Sequence, residues 1–379
     1  MTFITVHLKQ QIATDFEIGV IHASYYAGIL VSSFSVTRMI QTVGHIRVIA
    51  AFCGVTVTAT LLQSYHYDVI LWSICRFFAG YSLGAFYIGT QSWITAATEN
   101  HNRGFGLAVY TLVIYLAQAL SQELLFILPD ESHAPFILSA LIVGLAGVPA
   151  LLIPRNAPSA SFATPGKFRH FLRIEPFGTS TALVSGLVLS AIYSFGPAYA
   201  FVSGVSAPRF MGSLIIGGAV LQWPIGKLSD KVRRRKVLYG VILFSLLPVL
   251  YLLFAPLAHW SLYLAAFFAG GFIVSLYPIG VSMVYDYVKR DDIVPSTSAL
   301  LFAYGIGSVV GPVITSHFTE RSVNLLFLYL ALSLLLLFGI GLITREPKYF
   351  INEKPVDFIP VPRSPVAVEL ESRVFEEKL

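Results

Sequence analysis

Polarity along the chain alternates between long apolar runs and short polar breaks. Eleven runs stand out, each bounded by charged residues, Pro, Gly or Asn: 18–40, 48–65, 69–89, 105–128, 135–153, 179–202, 210–225, 237–256, 262–285, 297–318 and 323–343. A helix crosses the hydrocarbon core of a bilayer in about 20 apolar residues. Lipid offers no hydrogen-bonding partner to a strand edge or an open loop, so these runs predict membrane-spanning α-helices. Ahead of the first run, Met1-Thr-Phe-Ile-Thr-Val-His-Leu8 reads as the outer end of one more helix whose first two-thirds are absent. A start assigned too late is the preferred explanation and a truncated gene the other, so eleven full spans are counted where twelve are expected. The polar stretch 345–379 reads as a flexible tail, rich in Pro and charge.

Composition narrows the class. Of the 379 residues 56% are hydrophobic and 12% charged, against about 25% charged in soluble domains. The mean hydropathy of +0.74 excludes a water-soluble fold. The net charge of +5 is placed unevenly. Lys and Arg fall in alternate breaks, 17 in one set and 3 in the other, which is the signature of cytoplasmic loops. The basic excess is therefore topological and no nucleic-acid partner is implied. The C-terminus is expected in the cytoplasm. Cys53 and Cys75 lie inside apolar runs with no metal-ligand spacing. No phosphate loop, H-E-x-x-H pair or G-x-S-x-G turn occurs, so neither an enzyme nor a cofactor is expected.

Self-similarity divides the chain. At an offset of 190 residues Phe77-Phe78-Ala79-Gly80 lies over Phe267-Phe268-Ala269-Gly270, and at 189 the break 43–48 lies over 232–237. The expected organisation is a first half bundle over 1–154, a basic linker over 155–178, a second six-span half over 179–344 and the tail 345–379.

The segment Gly226-Lys-Leu228-Ser-Asp230-Lys231-Val-Arg233-Arg234-Arg235-Lys236-Val-Leu238 resembles the G-x-L-a-D-r-x-G-r-k-x-x-l signature of the major facilitator superfamily. Its second Gly is replaced by Arg233, whereas the copy at 37–49 keeps Gly44 and has Gln41 in place of the acid. Among the branches of that superfamily the chain looks most like the YcaD-like transporters. The resemblance implies an all-α membrane protein, a two-fold pseudo-symmetric helix bundle. It also implies that Gly226, Asp230, Arg234 and Arg235 form a cytoplasmic gating latch. The plainer alternative is that the Arg cluster only enforces topology.

Polar residues inside apolar runs supply the candidate chemistry. Arg76 begins Arg76-Phe-Phe-Ala-Gly80-Tyr-Ser-Leu-Gly84, which resembles the R-x-x-x-G motif of the family's fourth span. The resemblance implies a role in substrate or proton coupling, and a purely structural Arg snorkelling to the headgroups is the alternative. Glu123 is expected either to carry a proton, with Arg76 as charge partner, or to sit at the interface. Gln91 stands where the YcaD-like branch has Glu in Glu-Ser-Trp. Tyr193, Tyr277 and Tyr285 fall in spans that line the family's cavity, with ordinary packing as the alternative for each. Trp72 and Trp260 are expected as outer interfacial anchors. Gly80 and Gly84, and Gly307 and Gly311 near Pro312, are expected to let helices approach closely. The glycine-proline run resembles an antiporter motif of the fifth span but lies in the other half, and 115–123 contains neither Gly nor Pro, so an antiporter is not implied.

Together these features predict a secondary active transporter of the bacterial inner membrane, a monomer, moving a small organic solute with protons as the candidate coupling ion. A truncated, non-transporting remnant or a membrane sensor of the same fold is the alternative.

Overall fold

The computed structural model describes residues 1–11, 13–97, 103–128, 133–152, 175–254, 259–288 and 293–344. Most of the linker, 153–174, and the tail, 345–379, lie outside the described residues. Among those described, all regular structure is helical: α1 (Thr2–Gln10), α2 (Asp15–Val43), α3 (His45–Tyr65), α4 (Val69–Ala97), α5 (Arg103–Ile127), α6 (Ala134–Leu152), α7 (Pro176–Val202), α8 (Ala207–Lys231), α9 (Arg234–Phe254), α10 (Ser261–Tyr285), α11 (Ile293–Thr319) and α12 (Leu325–Ile343). Each predicted run corresponds to one helix from α2 to α12, and the opening segment is the short helix α1. Nine of these helices are long and apolar enough to cross a membrane. The helix α8 is long enough but charged near its end. It runs past its apolar stretch to Lys231, and Lys227 there lies 3.8 Å over the Trp223 ring.

Local chemistry sets the helix ends. Thr14 and Glu17 form a reciprocal capping box at the start of α2, which supplies acceptors to backbone N–H groups the helix leaves unpaired. Ser206 caps α8 and Glu175 caps α7, followed by Pro176 at a position where the missing N–H is harmless. The α2–α3 turn is made by Gly44 at φ 89°, a left-handed conformation that favours glycine. Its repeat mate is Arg233, and there α8 stops one residue earlier, through extended Val232 (φ −121°, ψ 148°). Losing the glycine lengthened the turn instead of abolishing it.

Close crossings of helix backbones organise both halves. A Cβ placed on Gly28 would sit 2.0 Å from the Phe77 carbonyl, and one on Gly80 1.9 Å from the Tyr25 carbonyl, so α2 and α4 touch main chain to main chain. The same contact recurs between α8 and α10, where Gly217 meets the Phe267 carbonyl at 1.9 Å and Gly270 meets the Leu214 carbonyl at 2.0 Å. All four partners are related by 189 or 190 residues. Gly84 abuts Ser32 in the first crossing. A third crossing joins α7 and α11, with Gly186 against the Tyr304 carbonyl, Gly307 against that of Leu183 and Gly311 against Ser190.

Contacts between halves run along α2 with α11 and α5 with α8. Gly19 lies against Pro312 and Ser316, Leu30 against Gly305, and the Phe34 and Phe302 rings are 5.7 Å apart. Tyr115 donates to Gln222 at 2.9 Å, and the Arg209 guanidinium lies 3.8 Å over the Phe126 ring. The short helix α1 is wedged beside α7, held by Phe3 and His7 against Phe136 and by His7 stacked on Trp72. An ion pair between Lys9 and Asp15 ties it to α2. Trp72 is fully buried in this packing, its indole N–H donating to the His66 carbonyl, so it is a core residue and not the interfacial anchor expected. Trp260 is exposed.

Candidate functional site

A buried polar cluster occupies the junction of α1, α2, α4 and α7. Arg76 on α4 is 6% exposed, its guanidinium 4.0 Å from the Tyr25 ring centroid and one of its nitrogens 2.9 Å from the Met1 sulfur. Among the described residues no carboxylate lies within ion-pair distance of it, and its Nε has no hydrogen-bond partner. His22, one turn before Tyr25 on α2, is fully buried and within electrostatic reach of Arg76. Its Nε2 lies 2.8 Å from the Thr5 hydroxyl, and that hydroxyl lies 2.9 Å from the Ser194 carbonyl. A hydroxyl carries one hydrogen. When Thr5 donates it to Ser194, His22 must donate from Nε2, and its partnerless Nδ1 is the atom left to take a proton. Thr5 and Ser194 are 189 residues apart, the repeat spacing, so their contact falls where the two halves face each other as symmetry mates.

Proximity to the α2–α4 crossing explains how the sequence builds this cluster. Gly28 and Gly80 bring the backbones together, and the aromatic ring of Tyr25 then lies against the cation of Arg76 one turn before Gly80. A buried guanidinium over an aromatic face is stabilised by the ring quadrupole. Repeat mates of His22, Tyr25 and Arg76 are Met211, Leu214 and Ala266, all buried and apolar.

A second network closes the other end of the second half. Arg234, 5% exposed, reaches Asp286 at 3.1 Å and Asp230 at 3.4 Å, joining α8, α9 and the end of α10. Gly226 is buried on α8 one turn before Asp230. These ion pairs lie within one half. Arg235, expected in the same latch, does something else: it donates to the carbonyls of Gly341, at 2.5 Å, and Thr344 and lies 5.2 Å over the Phe177 ring. It caps the C-terminus of α12, where unpaired carbonyls and the helix dipole favour a cation. The repeat mate of Arg234 is His45, buried with an unpartnered Nε2.

Other expected residues are dispersed. Glu123 forms no ion pair with Arg76; it is exposed on α5 and lines a groove with Arg209 of α8. Its helix turns it outward while the α4 helix buries Arg76. Gln91 is buried on α4 against the Tyr110 side chain. Tyr277 and Tyr285 are buried in an apolar cluster between α7, α10 and α11, Tyr277 with its ring 5.0 Å from Tyr304 and Tyr285 hydrogen-bonded to Thr297. In this conformation they pack rather than line a cavity, because the α10–α11 contact closes over them. Tyr193 is half-buried beside the main core.

Sequence reasoning missed His22, Tyr25, Thr5 and Asp286. For the α2 residues a signal existed: His22, Tyr25 and Tyr26 are polar groups one turn apart inside a lipid-length run. Asp286 carried none, since its partner is more than fifty residues away in the chain.

Comparison with known proteins places this geometry. A family model described as Major Facilitator Superfamily matches residues 1–220 and 209–375. The uncharacterized MFS-type transporter YE1530 of Yersinia enterocolitica is 30% identical over 347 residues, 87% of each chain. The uncharacterized MFS-type transporter YcaD of Salmonella arizonae is 28% identical over 348 residues, again 87% of each. Among solved structures, the nucleoside transporter NupG superposes with a TM-score of 0.76 at 12% identity, covering 90% of this chain and 94% of that one.

Proposed function

The chain belongs to the Major Facilitator Superfamily, and from that membership we propose a secondary active transporter that moves a small organic solute by alternating access, with protons as the coupling ion. As a member it is a multi-span membrane transporter and not an enzyme. The observation that carries the finer reading is the buried cluster of Arg76, His22, Tyr25 and Thr5 at the contact between halves. A buried cation without a counter-ion is costly to keep and is retained in membrane helices chiefly where it handles charge. Histidine is a side chain that can take up a proton, and the Nδ1 of His22 has no hydrogen-bond partner among the described residues. A proton arriving on His22 Nδ1 puts a second positive charge beside Arg76 at the contact between the halves.

In this reading the end bearing Arg234 faces the cytoplasm of the cell that carries the protein in its inner membrane, in line with the distribution of Lys and Arg. The tail follows on the same side. Packing at the opposite end supports an inward-facing state: Gly19 meets Ser316, Phe126 meets Arg209, and Gly212 lies against Gln122, whereas Met39, Val43, Trp223 and Leu228 toward the basic end are exposed. Arg234 with Asp230 and Asp286 then sets the stiffness of the second half as it rocks. Gly80, Gly84, Gly307 and Gly311 serve as its packing points, and the protein works as a monomer in the bilayer.

The test is uptake into proteoliposomes across a panel of organic solutes under an imposed pH gradient. Wild type is expected to accumulate a solute only with the gradient present. Arg76→Gln and His22→Leu are expected to fold but lose accumulation by about a hundredfold, the scale of a few kcal/mol in coupling. Movement by neither gradient nor counterflow would sink the transporter reading; movement indifferent to pH would sink proton coupling alone.

A further inference from the structure

A groove of about 520 Å³ opens between α5 and α8, with Tyr263 of α10 at its edge. Its walls are Leu116 and Leu120 on the first half and Ile216 on the second, all three strongly exposed apolar side chains on helices of the bundle. Each wall contributes one charge, Glu123 from α5 and Arg209 from α8. Both stand about one turn from a helix end, Glu123 four residues before Ile127 and Arg209 two after Ala207, the depth of lipid headgroups. Neither side chain has a hydrogen bond or ion pair among the described residues. The Arg209 guanidinium lies over the Phe126 ring, 3.8 Å from its centroid, and Arg209 is exposed, so its N–H groups are accessible.

We infer that this groove binds a zwitterionic phospholipid with a primary ammonium, of the phosphatidylethanolamine type. The phosphate lies on Arg209, whose planar fork matches two phosphate oxygens. The ammonium lies on Glu123, and an acyl chain follows Leu116, Leu120 and Ile216. Charge complementarity selects the occupant: an anionic headgroup satisfies Arg209 but repels from Glu123, and a quaternary ammonium cannot donate a hydrogen bond to the carboxylate. Because Glu123 belongs to one half and Arg209 to the other, the bound headgroup bridges the two halves of the bundle. The inference stands apart from the transport reading, since it concerns a bound lipid and is read by binding.

Full-length protein stripped of lipid is offered phosphatidylethanolamine, phosphatidylcholine or phosphatidylglycerol of matched chains, and retained lipid is counted by native mass spectrometry. Phosphatidylethanolamine is expected to be held about tenfold better than the other two. Glu123→Gln is expected to erase that preference and Arg209→Gln to lower retention of all three. Equal retention of phosphatidylglycerol, or retention of phosphatidylethanolamine unmoved by both substitutions, would overturn the site. Should either charge variant misfold, Ile216→Trp fills the groove without altering charge and must lower retention; if it does not, the inference fails.

Discussion

The two halves share one scaffold and differ in what they place on it. In the first, α2 and α4 cross at Gly28 and Gly80; in the second, α8 and α10 cross at Gly217 and Gly270, with matching backbone approaches. Around the first crossing sit His22, Tyr25 and Arg76, and at the same positions of the second sit Met211, Leu214 and Ala266. At the basic end the asymmetry is reversed: the second half holds Arg234 between two carboxylates, while the first has His45 without a partner for its Nε2. Repetition thus preserved main-chain contact, which tolerates no side chain, and released the polar positions to diverge. One half carries the buried cation and the other the ion-pair brace.

Packing differs as well. Most of α7 is buried and joined to α11 through Gly186, Gly307 and Gly311. Repeat mates of Gly307 and Gly311 on α5 are Ala117 and Ser121, and no residue of 109–127 is buried. The helix α5 leans on α8 of the other half, through Tyr115, Gln122 and Phe126. That makes the first half the looser body and the α5–α8 seam the place where the halves exchange support.

The brace gives the largest expected effect. Arg234→Ala strips a nearly buried Asp286 of a partner and should destabilise by about 3–5 kcal/mol, whereas His45→Leu at the equivalent position should change the midpoint of thermal unfolding little; equal losses would mean both ends are braced. Next come the crossings. Gly80→Val and Gly270→Val each drive a side chain into a carbonyl at 1.9 or 2.0 Å and should lower stability alike, by about 3 kcal/mol, seen as loss of monodisperse protein on size exclusion; damage confined to one half would break the shared scaffold. Arg76→Met is expected to raise stability by about 1–2 kcal/mol while abolishing uptake, because an apolar side chain removes a buried charge that has no carboxylate partner among the described residues and has the Tyr25 ring beside it. A variant less stable than wild type would make Arg76 a structural residue. The smallest effect is at the helix starts. Thr14→Ala removes a two-way cap and should cost about 1 kcal/mol, and Ser206→Ala less, its hydrogen bond to the Arg209 N–H being 3.4 Å long; denaturant midpoints of the two variants decide the order.

Much of the fold is legible in the order of residues. Every apolar run became a helix, since in lipid an apolar segment of that length has no other way to pair its backbone. Arg76 stood out because a charge inside such a run is rare, and the glycine spacing around it was plain in the order of residues. Arg235 was misjudged for a physical reason: in a row of four basic residues each has the same local signature, and only the arrival of the α12 carbonyls distinguishes a cap from an ion pair. Glu123 stayed between two roles, proton carrier and interface residue, for a related one. Its place on α5 was clear, but which way α5 faces depends on the helix packed beside it.

Sequence alone determined the membrane, the order of the apolar helices and the buried cation, because these follow from how residues interact with lipid and with near neighbours. Tertiary structure decided the rest: that Arg76 meets Tyr25 and His22 rather than Glu123, that Thr5 joins Ser194 across the halves, and that Asp286 completes the brace. Those pairings depend on helix rotation and register. Interactions among helices fix both, and a linear pattern of polarity does not encode either.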